Sequence, residues 1–294
     1  MDLAPYLFLA TLEGLVQASV LTLTALGLSI VFGTMRVVNV AHGEFFMLGA
    51  VLACACTWLL PGPAWLVFVC ALGLAPVIVG VLAMLADRGI LRRINYDPEA
   101  TIVSTIGLLY ILQQVTLMTF GPNAQAVDPP FRYTIRFPWF GYSSYKLFIV
   151  VVTILIVLVL WRLLRHSRIG LLMRATQYDK ETAQNFGIPV ALVYSGVFAV
   201  GAMLAAIAGV LVVPIRQAHY LMGHDPLLLS FVVVIVGGIG SIPGTIMAAI
   251  LIGMSDGLLS VLFSPTAAKM ASTLLVALVL VFRPEGLFGR SSRP

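Results

Sequence analysis

The chain has 294 residues, of which 60% are hydrophobic and only 10% charged, and its formal net charge is +5. A soluble domain carries about 25% charged residues, so this composition, with a mean hydropathy of +1.04, could not cover a water-facing surface. The basic balance is not a nucleic-acid signal either, because Lys and Arg gathered in particular loops are what membrane orientation requires.

The opening MDLAPYLFLATLEGL has neither a basic n-region nor a small-residue cleavage site, so no cleavable signal peptide is expected. Apolar runs of about 18 or more residues predict membrane-spanning helices, since about 20 residues at 1.5 Å rise cross the hydrocarbon. Such runs fall at 6–32, 43–60, 64–86, 101–120, 145–161, 191–213, 243–262 and 267–282, with a shorter one at 227–237. The expected fold is an all-α integral membrane protein: one polytopic helical bundle over 1–294, with about 8–9 transmembrane segments and Gly-interrupted, broken helices. Cys54, Cys56 and Cys70 lie inside apolar runs without metal-ligand spacing and read as small packing residues.

Lys and Arg set the orientation. Loop 87–100 holds Arg88, Arg92 and Arg93; 162–190 holds Arg162, Arg165, Arg168, Arg174 and Lys180; the tail holds Arg283, Arg290 and Arg293. These eleven face five on the alternate side (Arg132, Arg136, Lys146, Arg216 and Lys269), which places the first group in the cytoplasm. The loop 121–144 is then outside, with Trp139, Tyr142 and Tyr145 as an interfacial belt, and the N-terminus is outside too. A cytoplasmic C-terminus requires the short 227–237 piece to cross, tilted or continued by Asp225–Pro226.

Two segments combine glycine, turn residues and membrane depth: GTMRVVNVAHGEFFMLGA (33–50) and GHDPLLLSFVVVIVGGIGSIPGTIMAAILIG (223–253). Interrupted helices in two halves of a chain point to a transport site, because unwound backbone persists only where protein or a water-filled path receives its N–H and C=O groups. The substrate-pathway candidates are therefore Asn39, His42, Gly43, Glu44, Gly237, Gly238, Gly240, Ser241 and Pro243. Ser241 reads as an N-cap with Pro243 in the first turn. Two readings stand for His42 and Glu44: a functional intramembrane pair, or interfacial residues ordering a short loop. Glu13 and Asp256 read as interhelical or interfacial, and Gly201, Ala205, Ala208 and Gly209 as close helix packing. His166, His219 and His224 fall in loops.

Between two apolar walls lies RLLRHSRIGLLMRATQYDKETAQNFGIP (162–189). Ala175, Tyr178, Thr182 and Phe186 recur at helical spacing, so one short amphipathic helix is expected there, stopped by Gly187 and Pro189. Its mixed polarity fits a protein groove better than a lipid surface.

This stretch resembles the coupling loop of ABC importer permeases, on Gly170, Arg174, Ala175, Asp179, Ala183, Gly187 and Ile188. With ALGLSIVFGTMRVVNVAHGEFFMLGA, STIGLLYILQQ, DPLLLSFVVVIVGGIGSIPGT and FRPEGLFGR in order along most of the chain, the protein is identified as a member of the LivH-type permeases of branched-chain amino acid importers. The resemblance implies a non-catalytic permease of the bacterial inner membrane, whose coupling residues would be those seven with Tyr178 and Phe186. It implies a paralogous, LivM-like second permease, two ATP-binding subunits that use ATP–Mg, and a periplasmic substrate-binding protein. No cofactor is expected on this chain, which has no G-x-x-x-x-G-K-[ST] phosphate loop. The alternative is the same architecture transporting urea, short amides or other small amino-acid-like solutes. A proton-coupled secondary transporter relaying through His42 and Glu44 is the reading from another class.

Overall fold

The computed structural model describes residues 3–263 and 286–288, with Thr266, Met270 and Leu274. Most of the expected span 267–282 and of the basic tail lies outside the described residues. The helices are α1 (Leu3–Met35), α2 (His42–Leu59), α3 (Ala64–Ala86), α4 (Pro98–Phe120), α5 (Ser144–His166), α6 (Arg168–Tyr178), α7 (Lys180–Asn185), α8 (Val190–Val212), α9 (His224–Gly237) and α10 (Ile242–Leu262), with a π-helical turn at Asp87–Leu91. Strands β1 (Thr134–Arg136) and β2 (Gly141–Ser143) form an antiparallel hairpin. Among the described residues seven helices are long and apolar enough to cross a membrane, and α9 is a shorter apolar one. The protein is a multi-pass, all-α membrane protein.

The ends of the bundle are named by what they carry. The hairpin end holds β1 and β2; Phe8 of α1 packs edge-on against Phe137 at 5.1 Å, and Gln125 pairs with Ala218. The arm end holds α6 and α7, and Gly33 near the end of α1 meets Gly240 there.

α1, at 33 residues, spans about 50 Å and is the mast of the bundle. α10 runs antiparallel along it because small residues let the backbones touch: an added Cβ on Gly14 would lie 3.0 Å from the Met254 Cα, and Gly253 abuts Ala18. Thr245 Oγ1 donates to Ser29 Oγ at 2.9 Å lower on the same seam. α8 packs against α1, α2 and α3 through Gly201, Ala205, Ala208 and Gly209, all buried, as the small-residue pattern predicts. Gly201 faces Gly27, and Gly209 faces the Phe46 carbonyl, each without space for a side chain.

Two expectations need correction at the hairpin end. Trp139 is exposed as a belt residue should be, but Tyr142 and Tyr145 are buried. Tyr145 donates to the Leu211 carbonyl at 2.8 Å and packs edge-on to Phe68, so its ring serves the α3–α5–α8 core. Glu13 does act between helices: its Oε1 accepts from Lys146 Nζ at 2.5 Å, joining α1 to α5.

Candidate functional site: an interior junction and an arm

The break in the membrane interior lies where two helices begin. From the arm end of α1 the chain turns back through the non-helical Arg36–Ala41, with Arg36 in the left-handed region (φ 55°), and starts α2 at His42. His42 Nε2 donates to the Thr24 carbonyl at 2.9 Å, which leaves Nδ1 as the unprotonated nitrogen. Thr24 lies eleven residues before the end of α1, about 16 Å in from the arm end.

The second break is at 213–223, a non-helical stretch that pairs with Gln125 at the hairpin end and then descends to start α9 at His224. The short apolar piece therefore runs between the two ends of the bundle, as the expected crossing requires. It is continued by Asp225–Pro226, emerges at the arm end at Gly237, and takes the outer part of its path without a helix. Gly43 and Gly223 are in backbone contact, and any side chain on either would collide with the other. The N-termini of α2 and α9 thus meet inside the membrane, with the partial positive ends of both helices close together.

Polar side chains gather at this junction. Asn39 and His42 are 1% exposed and Glu44 is 0% exposed, so His42 and Glu44 are enclosed by protein rather than standing in an exposed loop. Gln113 of α4 donates its amide to Glu44 Oε1 at 2.9 Å and lies 2.8 Å from His224 Nε2. An amide nitrogen has two hydrogens, so both acceptors are served, with His224 Nε2 the unprotonated nitrogen. Asn39 Nδ2, His42 Nδ1 and Glu44 Oε2 have no hydrogen-bond partner.

Gln113 and His224 were not among the residues singled out in the sequence. His224 was expected in a loop; it is instead the first residue of α9 and exposed at this depth, as is Asp225. Gln113 had a readable signal: Thr101, Thr105, Leu109, Gln113 and Thr116, all buried, recur every three or four residues on α4 and make a largely polar stripe in an apolar helix.

The remaining pathway candidates lie elsewhere. Gly237, Gly238, Gly240, Ser241 and Pro243 form the tight α9–α10 corner at the arm end, a helix of 14 residues away from the junction. Gly238 (φ 97°) and Gly240 (φ 75°) adopt the left-handed conformations that glycine alone takes without strain. Ser241 caps α10 as expected, accepting from Gly244 N at 3.2 Å, with Pro243 in the first turn. Leu287 N donates to the Val236 carbonyl at 2.7 Å, closing the end of α9.

The arm departs from one expectation. Instead of one helix from Ala175, the chain breaks at Asp179 (φ −152°, ψ 110°), whose carboxylate caps α7 by accepting from Glu181 N at 2.9 Å and Thr182 N at 3.2 Å. The break rotates the expected stripe apart. Ala175 is half-buried, whereas Tyr178, Thr182 and Phe186 are exposed, both aromatics at 84%. Ala183 is buried, and Gly170 sits against the Leu164 carbonyl, which also accepts from Arg174. Gly170, Arg174 and Ala183 therefore brace the arm on its own chain. Tyr178, Asp179, Phe186 and Gly187 form its outer surface, and Ile188 is half-buried. Gly187 (φ 78°) ends the arm as predicted.

The arm also touches the bundle. Lys180 Nζ lies 5.9 Å above the Tyr194 ring, Tyr194 packs edge-on to Tyr96 at 4.8 Å, and Ser195 donates to Asp87 at the π-helical turn. Gln177 approaches the Gly33–Gly240 contact.

Residues 10–282 match the family described as "Branched-chain amino acid transport system / permease component". The chain is 28% identical to the high-affinity branched-chain amino acid transport system permease protein LivH of Escherichia coli K12, over 95% of this chain and 94% of that one. It is 29% identical to the BraD permease of Pseudomonas aeruginosa PAO1, with the same coverage of each. The galactofuranose transporter permease protein YtfT of E. coli K12 is 27% identical over 50% of this chain and 46% of its own. No solved structure matches.

Proposed function

Because the chain belongs to the family of permease components of branched-chain amino acid transport systems, we propose that it passes branched-chain amino acids across the bacterial inner membrane, driven by ATP-binding subunits that dock on α6 and α7. A paralogous second permease would complete the path, and a periplasmic binding protein would deliver the substrate at the hairpin end. The arm end is then cytoplasmic, in keeping with the distribution of Lys and Arg.

The observation that carries the docking reading is the arm itself. Two aromatic side chains, Tyr178 and Phe186, stand almost fully exposed on a short pair of helices whose other side is braced by Gly170, Arg174 and Ala183. Exposed aromatics on a rigid base are what a protein groove takes up, because their large surface is ordered at low entropic cost. Nucleotide-driven closure of two ATP-binding subunits would draw two such arms together. Since α6 and α7 touch α8 and the α9–α10 corner, and α8 in turn holds the 87–96 turn through Tyr194 and Ser195, that motion would reach the spans and alternate the access of the interior junction.

Tyr178→Asp combined with Phe186→Asp tests the docking surface without touching the brace. The variant should insert normally, lose co-purification with the ATP-binding subunits, and lower uptake by about tenfold or more. Unchanged co-purification and uptake would remove the docking role. Ala183→Glu is a poorer probe, because Ala183 is buried under the arm and its change would deform the arm itself.

A further inference from the structure

Glu44 is a carboxylate held inside the membrane with half of its hydrogen-bonding capacity unused. Oε1 accepts from Gln113, and Oε2 has no partner. Neither of the ion pairs Lys146–Glu13 and Arg132–Asp128 involves it. At such depth a carboxylate must be protonated, matched by dipoles or met by a cation. The converging N-termini of α2 and α9 and the Gln113 amide supply the dipoles on one side. The unpaired side is Oε2.

The surroundings bear on access to it. α4 meets α2 through its polar stripe, while its opposite face, with Val103, Tyr110 and Met118, is exposed. A polar seam of this kind parts readily, since each hydroxyl or amide can exchange its partner for water or for a polar solute. At the hairpin end of the seam a cleft is lined by Val51, Thr116 and Tyr220, among others. These stand two turns from Glu44, one from Gln113 and four residues before His224. His224 and Asp225 are exposed beside the junction, inside the hydrocarbon depth, where a lipid-facing position would be costly. A polar path on that side would satisfy both side chains.

We propose that Glu44 Oε2 receives the α-ammonium group of the transported amino acid when α4 draws Gln113 away, which makes Glu44 the residue that selects zwitterionic amino acids over neutral amides. The inference rests on the transport reading above. An ammonium brings three donors and the missing positive charge, whereas urea or a short amide brings donors only and leaves the buried charge uncompensated.

The test uses the assembled transporter with Glu44→Gln and Glu44→Asp. Glu44→Gln keeps the shape and the bond to Gln113 and removes the charge. It should still co-purify with its partner subunits while amino acid uptake falls by about tenfold or more, and Glu44→Asp should recover a substantial part of the rate. Uptake should be the same in sodium and potassium media. Wild-type uptake by Glu44→Gln would show that the carboxyl is already neutral and would overturn the proposal. So would failure of Glu44→Gln to assemble while Glu44→Asp assembles, which assigns a structural role, or sodium-dependent uptake, which assigns the site to an inorganic cation. Absence of amino acid uptake by the unaltered transporter would instead overturn the function proposed above.

Discussion

Asp179 shows how one side chain decides the form of the arm. Its carboxylate accepts from the Thr182 hydroxyl and from the Thr182 and Glu181 amides, and these bonds hold its carboxyl below the usual carboxylate range. A folded-state value below the unfolded one means that the cap's contribution is fully present above about pH 4 and is lost as pH falls through the lowered value. The amides of Glu181 and Thr182 should therefore be protected from hydrogen exchange at neutral pH and lose protection in acid. Asp179→Ala should remove that protection at every pH, and equal protection in the variant would refute the cap. Helical spacing of Ala175, Tyr178, Thr182 and Phe186 was legible in the sequence and gave the right residues the wrong continuity. The stronger local signal was an Asp ahead of Lys-Glu-Thr, a fresh N-cap with an acidic first turn.

Among the elements, the paired interruptions were legible and their division of labour was not. Glycine runs mark where backbone turns, which correctly located the α9–α10 corner, but glycine content does not say at what depth a turn lies. The interior break is made by Arg36–Ala41, inside the first expected segment, and by 213–223, just ahead of the second, and the depth of both follows only from what they pack against. The corner instead touches the arm: a Cβ on Gly240 would lie 3.1 Å from both Gln177 Nε2 and the Gly33 Cα, at a left-handed backbone that costs a side chain about 1–2 kcal/mol. Gly240→Val should thus act on coupling rather than on the substrate path. The ATP-binding subunits should still bind, while uptake per ATP hydrolysed falls several-fold. Gly196→Ala, at a position with open space, should leave that ratio unchanged. A Gly240→Val transporter with the normal ratio would separate the corner from coupling.

For the whole molecule, the spans among the described residues, the arm and the family could be read from the chain, whereas the pairing of helices could not, because periodicity gives a helix a face and not a neighbour. That pairing is what connects the two sites. From the arm, Lys180 lies over Tyr194; Tyr194 packs edge-on to Tyr96; Tyr96, in a left-handed conformation (φ 57°), immediately precedes Asp97, the N-cap of α4. α4 in turn carries Gln113 to Glu44. Spatial intermediacy alone does not establish coupling, so the chain of contacts has to be broken at a residue that belongs neither to the docking surface nor to the junction. Tyr194 is that point. It is buried on α8, and replacing it with leucine keeps an apolar side chain there while removing a ring pair worth about 0.5–1.5 kcal/mol beyond its burial. Tyr194→Leu should leave docking of the ATP-binding subunits intact and ATP hydrolysis running, yet lower the uptake obtained per ATP by several-fold, because arm movement no longer positions the start of α4. An unchanged ratio would mean that α4 moves independently of the arm, and the force would then have to reach the junction through the α9–α10 corner alone.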